Sequence, residues 1–238
     1  MQILFRQGPQ EIIARYNRIR FQNVILPMRI PYLFALAAVI PFFASCGSGL
    51  NILAKSGIYL GGKSTQDFKF TPPSSALIAA AANKPKDKHS MPVYSFSERH
   101  RVVRTTAYTC TEKDHIKYGA KNATGTALRY SDRVRSAAAD WSFYPVNTVF
   151  RVKGMNQLYV IDDYGSALTG TGTVDIYKPT REIMNKWGCR NVEISVVQWG
   201  SFKRSVEILR SRTKFAHCRR MLANITRQRP DLSKVAAR

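Results

Sequence analysis

The chain has 238 residues, 45% of them apolar and 22% charged, which describes a globular protein with room for one full hydrophobic core rather than a disordered chain. Lys and Arg outnumber Asp and Glu by 37 to 15, so the surface attracts polyanions, yet a formal charge of +22 does not choose among nucleic acid, anionic lipid and acidic glycan. The excess is uneven: residues 101–200 hold 14 basic and 9 acidic residues, net +5, whereas the stretch from Ser201 onward holds 11 and 2, net +9.

From Ile30 to Leu53 no residue is charged, and the apolar stretch up to Ala44 follows Arg29 and contains Pro41. That length suits a signal-peptide core, since a membrane span needs about 18 or more uninterrupted apolar residues. The run ends in Phe43-Ala44-Ser45-Cys46-Gly47, which resembles the lipobox of bacterial lipoproteins. The resemblance implies that Cys46 is lipidated and becomes the mature N-terminus, so that residues 1–45 are a signal-peptide region. With Met28 as the true start, residues 1–27 would be an over-extended gene start. A buried apolar helix with an incidental cysteine is the competing reading.

Residues 46–100 are rich in Gly, Ser, Thr, Pro, Ala and Lys and show no sustained period of 2 or 3.6 residues. They are expected to form a tether that holds a folded module away from a membrane, with Ala76–Ala82 as a helical turn. From Arg101 the texture changes. Six segments rich in β-branched or aromatic residues, at 101–109, 134–140, 148–152, 157–162, 173–177 and 191–199, predict strands of a small closed barrel. One helix interrupts them, with Thr180 as N-cap, Glu182 in its first turn, Ile183, Met184 and Trp187 on one face and Gly188 as its stop. Beyond Ser201, apolar residues at 206, 209, 216, 221, 222 and 225 among many arginines and lysines predict a partly amphipathic basic helix, either packed on the barrel or docked to anionic lipid or wall polymer.

The chemistry is concentrated at 160–177, "VIDDYGSALTGTGTVDIY", where three aspartates flank a glycine-rich turn. Neighbouring strand residues face opposite ways, so only one of Asp162 and Asp163 is expected to share a pocket with Asp175. An unperturbed Asp has a pKa of about 3.9 and is no proton donor near neutrality; a second carboxylate or burial against Tyr164 and Tyr177 would raise it. Aspartates that merely cap turns are the competing reading. Asp163-Tyr164-Gly165 matches half of an aspartic-protease signature, but no second copy completes a dyad. The histidines and cysteines, Cys110 and His115 included, have no zinc-ligand spacing, and no glycine loop is built for phosphate, so no metal and no cofactor are expected. Whether Cys110 and Cys189 form a disulfide is left open.

"TTAYT" at 105–109, "ATGT" at 123–126, "AAADWSFYPVNTVFRV" at 137–152, "DDYGSALTGTGTVDIY" at 162–177 and "KWGCRNVEISVV" at 186–197 resemble, in order, the blocks of the three-aspartate domain. This is the double-psi β-barrel of membrane-bound lytic transglycosylase A and related cell-wall enzymes. The resemblance spans residues 101–200 and implies a mainly β, six-stranded double-psi barrel, preceded by the signal region and tether and followed by the basic tail 201–238. Asp140, Asp163 and Asp175 match the three aspartates; Trp141 stands where the family has proline, and Ser166 and Thr169 where it has glycine and lysine.

The resemblance further implies a lytic transglycosylase that cleaves the β-1,4 bond between N-acetylmuramic acid and N-acetylglucosamine. Asp175 would be its acid and base, Asp163 its partner and Asp140 an anchor of the barrel. The alternative is a non-catalytic envelope barrel that binds glycan or a partner protein. Peptidoglycan strands are then the expected partner, together with a membrane reached through the lipid anchor. An export signal and a barrel of only +5 argue against a specific nucleic-acid partner. The expected location is the bacterial envelope, at the outer membrane facing the periplasm.

Overall fold

The computed structural model describes residues 70–113 and 115–237. The expected signal region 1–45, the alternative start at Met28, the lipidation site Cys46 and the first part of the tether, to residue 69, lie outside the described residues.

Six strands form at the β-branched and aromatic segments: β1 His100–Tyr108, β2 Val134–Ala139, β3 Val149–Val152, β4 Leu158–Asp163, β5 Val174–Tyr177 and β6 Arg190–Gln198. They pair into one sheet that closes into a ring in the order β1-β5-β2-β4-β3-β6. β1 runs parallel to β5 and β2 parallel to β4, and the remaining four pairings are antiparallel. Side chains alternate across the sheet, and one face fills the interior: Val103, Ala137, Ala139, Phe150, Val152, Tyr159, Ile161, Val174, Ile176, Val192 and Ile194 belong to one buried cluster. A smaller cluster of Tyr108, Ala138, Leu168 and Tyr177 lies apart from it. Ala138 sits between Ala137 and Ala139, so this second cluster occupies the opposite, outer face of the sheet.

Helix α2, Arg181–Trp187, forms with the expected ends. The Thr180 hydroxyl accepts from the Ile183 amide, and the Gly188 amide donates to the Met184 carbonyl at a φ of 62°, a conformation glycine tolerates. Another short helix, α1 at Ser75–Ala81, stands where a helical turn was expected within the tether. Residues 70–99 nevertheless do not behave as free linker. The Ser74 amide donates to Glu193 on β6, the Gly172 amide donates to Asp87, and the Val102 amide donates to the Tyr94 hydroxyl. Ala81 and Met91 are buried, which composition alone did not reveal.

The basic tail is three helices rather than one: α3 Phe202–Arg210, α4 Ala216–Gln228 and α5 Ser233–Ala237. A single straight helix would set Leu209 and Cys218 about 180° apart. The turn at 211–215 removes that conflict, and Val206, Ile208, Leu209, Cys218, Met221 and Ile225 all join the main core while the cations of the helices face outward. The tail is therefore part of the fold. Leu209 is fully buried, and Leu209→Ala is expected to cost about 3 kcal/mol, read as a lowered midpoint in urea unfolding. A tail that only decorates the surface would leave that midpoint unchanged.

Among the described residues no helix is long and apolar enough to cross a membrane, and Cys110, Cys189 and Cys218 are all free thiols.

Candidate functional site

Strand register assembles the site. On β2, Ala138 pairs with Asp163 of β4 on one side and with Asp175 of β5 on the other, and Asp175 pairs in turn with Thr106 of β1. Paired residues share a face, so Asp163, Ala138, Asp175 and Thr106 form one row across four strands on the outer face. The two aspartates are two strand spacings apart, about 10 Å between backbones. Only a methyl group stands between them. Tyr108 and Tyr177, one pleat further on, pair with each other and flank the row.

Each aspartate has a different shell. Asp163 is buried and accepts three hydrogen bonds, from the Ala123 amide (3.1 Å) and the Tyr164 amide (2.9 Å) on Oδ1 and from the Tyr108 hydroxyl (3.2 Å) on Oδ2. Burial pushes its pKa up, against those donors and the nearby charge of His115. Asp175 is half-buried, and among the described residues its one hydrogen bond comes from the Thr106 hydroxyl at 2.7 Å. Burial, followed by the charges of Glu112 and Asp163, raises Asp175 to about 7, with Thr106 and Arg104 opposing. A carboxyl poised near neutrality can both give and take a proton.

Asp140 does not join this row. Its Oδ1 accepts from the Ser142 amide and hydroxyl, both at 2.7 Å, and its Oδ2 from the Gly170 amide at 2.6 Å. It thus ties the turn after β2 to the 165–173 loop, whose Leu168 packs in the outer cluster. Trp141, in place of the family's proline, is buried and donates its indole N–H to the Asp163 carbonyl at 2.9 Å.

The expectation that Asp162 faces away from this site is corrected. A β-bulge sets Ala137 opposite Ile161 but Ala138 opposite Asp163, leaving Asp162 as the extra residue. Simple alternation fails at such a point. Asp162 is buried and accepts from the Ser136 hydroxyl at 2.8 Å, and among the described residues its Oδ1 has no partner. Burial raises it to about 7, and the Asp163 charge adds to the rise. An unpartnered buried carboxylate oxygen is costly when ionised, which accounts for the direction.

The segment from Cys110 to Tyr130 covers the row: Cys110, Leu128 and Tyr130 pack on the outer cluster, and the His115 ring lies 5.6 Å from that of Tyr108. Among the described residues no group of His, Cys, Asp and Glu could hold a metal ion. Two concavities lie elsewhere, one of about 640 Å³ bounded by Lys203, Arg204, Arg210 and Lys234, the other of about 420 Å³ bounded by Phe96, Trp199 and Phe202.

Residues 135–206 match the family model of the 3D domain. That stretch is similar to the 3D domain. This family is associated with lytic transglycosylase-like cell-wall enzymes, which links the chain in general terms to peptidoglycan. No curated protein matches the chain significantly. The match to the 3D domain takes in all four aspartates described above, but it begins after β1 and ends within α3. Thr106, Tyr108 and Ala123 therefore reach the aspartates from outside the matched segment. Sequence reading missed Tyr108 and Asp162 as parts of the site. Alternation within "TTAYT" does put Tyr108 on the face of Thr106, whereas nothing local announces the bulge.

Proposed function

We propose that the protein is a peptidoglycan lytic transglycosylase built on a double-psi barrel, with Asp175 as its acid and base. The observation that carries this reading is the row itself: a half-buried carboxyl raised to about 7 by burial, beside a second carboxylate held by three donors. The parallel pairs β1–β5 and β2–β4 support the double-psi topology.

In the reaction, protonated Asp175 donates to the glycosidic oxygen as the bond from that oxygen to C1 of the muramyl residue breaks. The resulting carboxylate takes the proton of the same residue's 6-hydroxyl, whose oxygen bonds to C1 and closes a 1,6-anhydro ring. Asp175 ends protonated again, and water is not consumed. One residue serves both halves, unlike the paired carboxylates of hydrolytic glycosidases. Asp163 stabilises positive charge at the sugar and tunes Asp175, while Asp140 acts at a distance by holding the 165–173 loop. Lipidation of Cys46 would place the enzyme at the envelope, with the outer membrane facing the periplasm as the proposed site. The cations on the outer faces of α3 and α4 are available to anionic lipid or wall polymer.

The test is digestion of purified peptidoglycan by the full-length protein, with products read by mass spectrometry. Anhydro-muropeptides are expected. Reducing muramyl ends instead would identify a hydrolase. A second reading, a non-catalytic barrel that binds glycan or a partner, is favoured by the cover over Asp163. Glycan binding without any cleavage would select it.

A further inference from the structure

The turn between α3 and α4 sends Arg212, half-buried, toward the aspartates from outside the segment that matches the family model. Its Nη1 donates to the Tyr164 hydroxyl at 3.0 Å and its Nη2 to the Ala123 carbonyl at 2.8 Å. Those two residues are the ones whose backbone amides converge on Oδ1 of Asp163, at 3.1 Å from Ala123 and 2.9 Å from Tyr164. The guanidinium group also lies 5.7 Å from the centre of the Tyr164 ring. Its own base is fixed: the Arg212 amide donates to the Leu209 carbonyl, and Leu209, Cys218, Met221 and Ile225 anchor the flanking helices in the main core.

We propose that Arg212 is the positioning residue for Asp163, gripping with its two prongs the two segments whose amides hold that carboxylate, so that the C-terminal helices complete the site. Ala123 lies outside β4, in the segment between β1 and β2, and the Arg212 contact ties its carbonyl to the tail. A planar guanidinium can bridge two acceptors in fixed directions, whereas an ammonium group keeps the charge without the fork. Loss of the grip lets the Ala123 amide leave Oδ1, and a carboxylate that loses an amide donor binds its proton more tightly.

The inference rests on the reading of Asp163 as a working carboxylate, and its test reads Asp163 directly rather than through turnover. Full-length protein labelled with ¹³C at the aspartate carboxyls is titrated by NMR, with the Asp163 signal identified by its disappearance in Asp163→Asn. The other groups that face Asp163 stay constant across the variants: Tyr108 from β1, Asp175 from β5, Asp162 on its own strand and His115 from the covering segment. The Asp163 midpoint is expected to rise by about one pH unit in Arg212→Ala and in Arg212→Lys alike. On peptidoglycan, kcat should fall with KM little changed. An unchanged midpoint in a folded variant overturns the proposal. So does a midpoint that moves in Arg212→Ala but returns to its original position in Arg212→Lys, because charge alone would then be responsible. Should Arg212→Ala fail to fold, the Arg212→Lys titration decides alone, and if the protein proves not to cleave glycan, the titration still does.

Discussion

Asp175→Asn is expected to reduce anhydro-muropeptide release by about 10³-fold or more, because one side chain supplies both the proton donation and the proton abstraction. The substitution is nearly isosteric, and the side-chain oxygen of asparagine can still accept from the Thr106 hydroxyl, now 2.7 Å from Asp175. The effect on stability should run the opposite way. In wild type the folded-state pKa of Asp175 is raised to about 7, chiefly by burial, so ionising it at neutral pH costs folding energy that a neutral amide does not incur. Water screens a half-buried group, so the gain is put at about 1–2 kcal/mol at pH 7, below what the full shift would imply, and it should vanish near pH 4. A melting curve at each pH, alongside the product assay, checks both halves. A folded Asp175→Asn protein that still releases anhydro products at the wild-type rate would remove Asp175 from the chemistry.

The second large effect is on the wild-type protein itself: its stability is expected to drop by about 2 kcal/mol between pH 5 and pH 7. Asp162 and Asp175 are both raised to about 7, and burial comes first among the causes in each case. A carboxyl whose folded pKa exceeds its unfolded value of about 3.9 holds its proton more tightly when folded. Its contribution is therefore complete below about pH 3.9 and lost as pH climbs through the folded value. Asp140 and Asp163 are shifted in the same direction. Most opposing groups act outside this window. Glu98, lowered to about 2 chiefly by Lys84, changes stability only below its unfolded value of about 4.3. Lys178, lowered to about 7 by burial between the Tyr130 and Trp187 rings, recovers stability above pH 7 rather than below it. His217, lowered by burial, opposes the trend near its unfolded value of about 6.5. Urea titrations at pH 5 and 7 would show the drop, and the Asp162→Asn, Asp175→Asn double variant should flatten it. Equal stability at both pH values in wild type would mean that these carboxyls are ionised without cost, contrary to their burial.

Much of this architecture is legible one segment at a time. "NVEISVVQW" alternates, and the strand it forms buries Val192, Ile194 and Val196 in turn. Thr180 and Gly188 mark the ends of α2 because a hydroxyl cap and a left-handed stop act within a few residues of the chain. The aspartate blocks are equally local, and Asp163 and Asp175 stand in one row on the outer face with Ala138 between them. Asp162 was misplaced for a reason of the same kind: alternation is the only rule a lone strand offers, and the bulge opposite Ala137 and Ala138 arises from pairing with β2. The end of the tether was misread because its burial depends on Glu193 and Gly172, about a hundred residues further along the chain.

The sequence by itself thus determined where the strands and the capped helix lie and which carboxylates to watch, since each of these follows from side-chain chemistry within a few positions. The tertiary structure alone decided that β2 sits between β4 and β5, so that Ala138 separates Asp163 from Asp175, and that two tail helices enter the core and deliver Arg212 to the site. Strand order and register come from pairings between distant segments, and a slip of one residue would turn every side chain of a strand to the other face. No local pattern encodes that choice; burial of the whole core selects it.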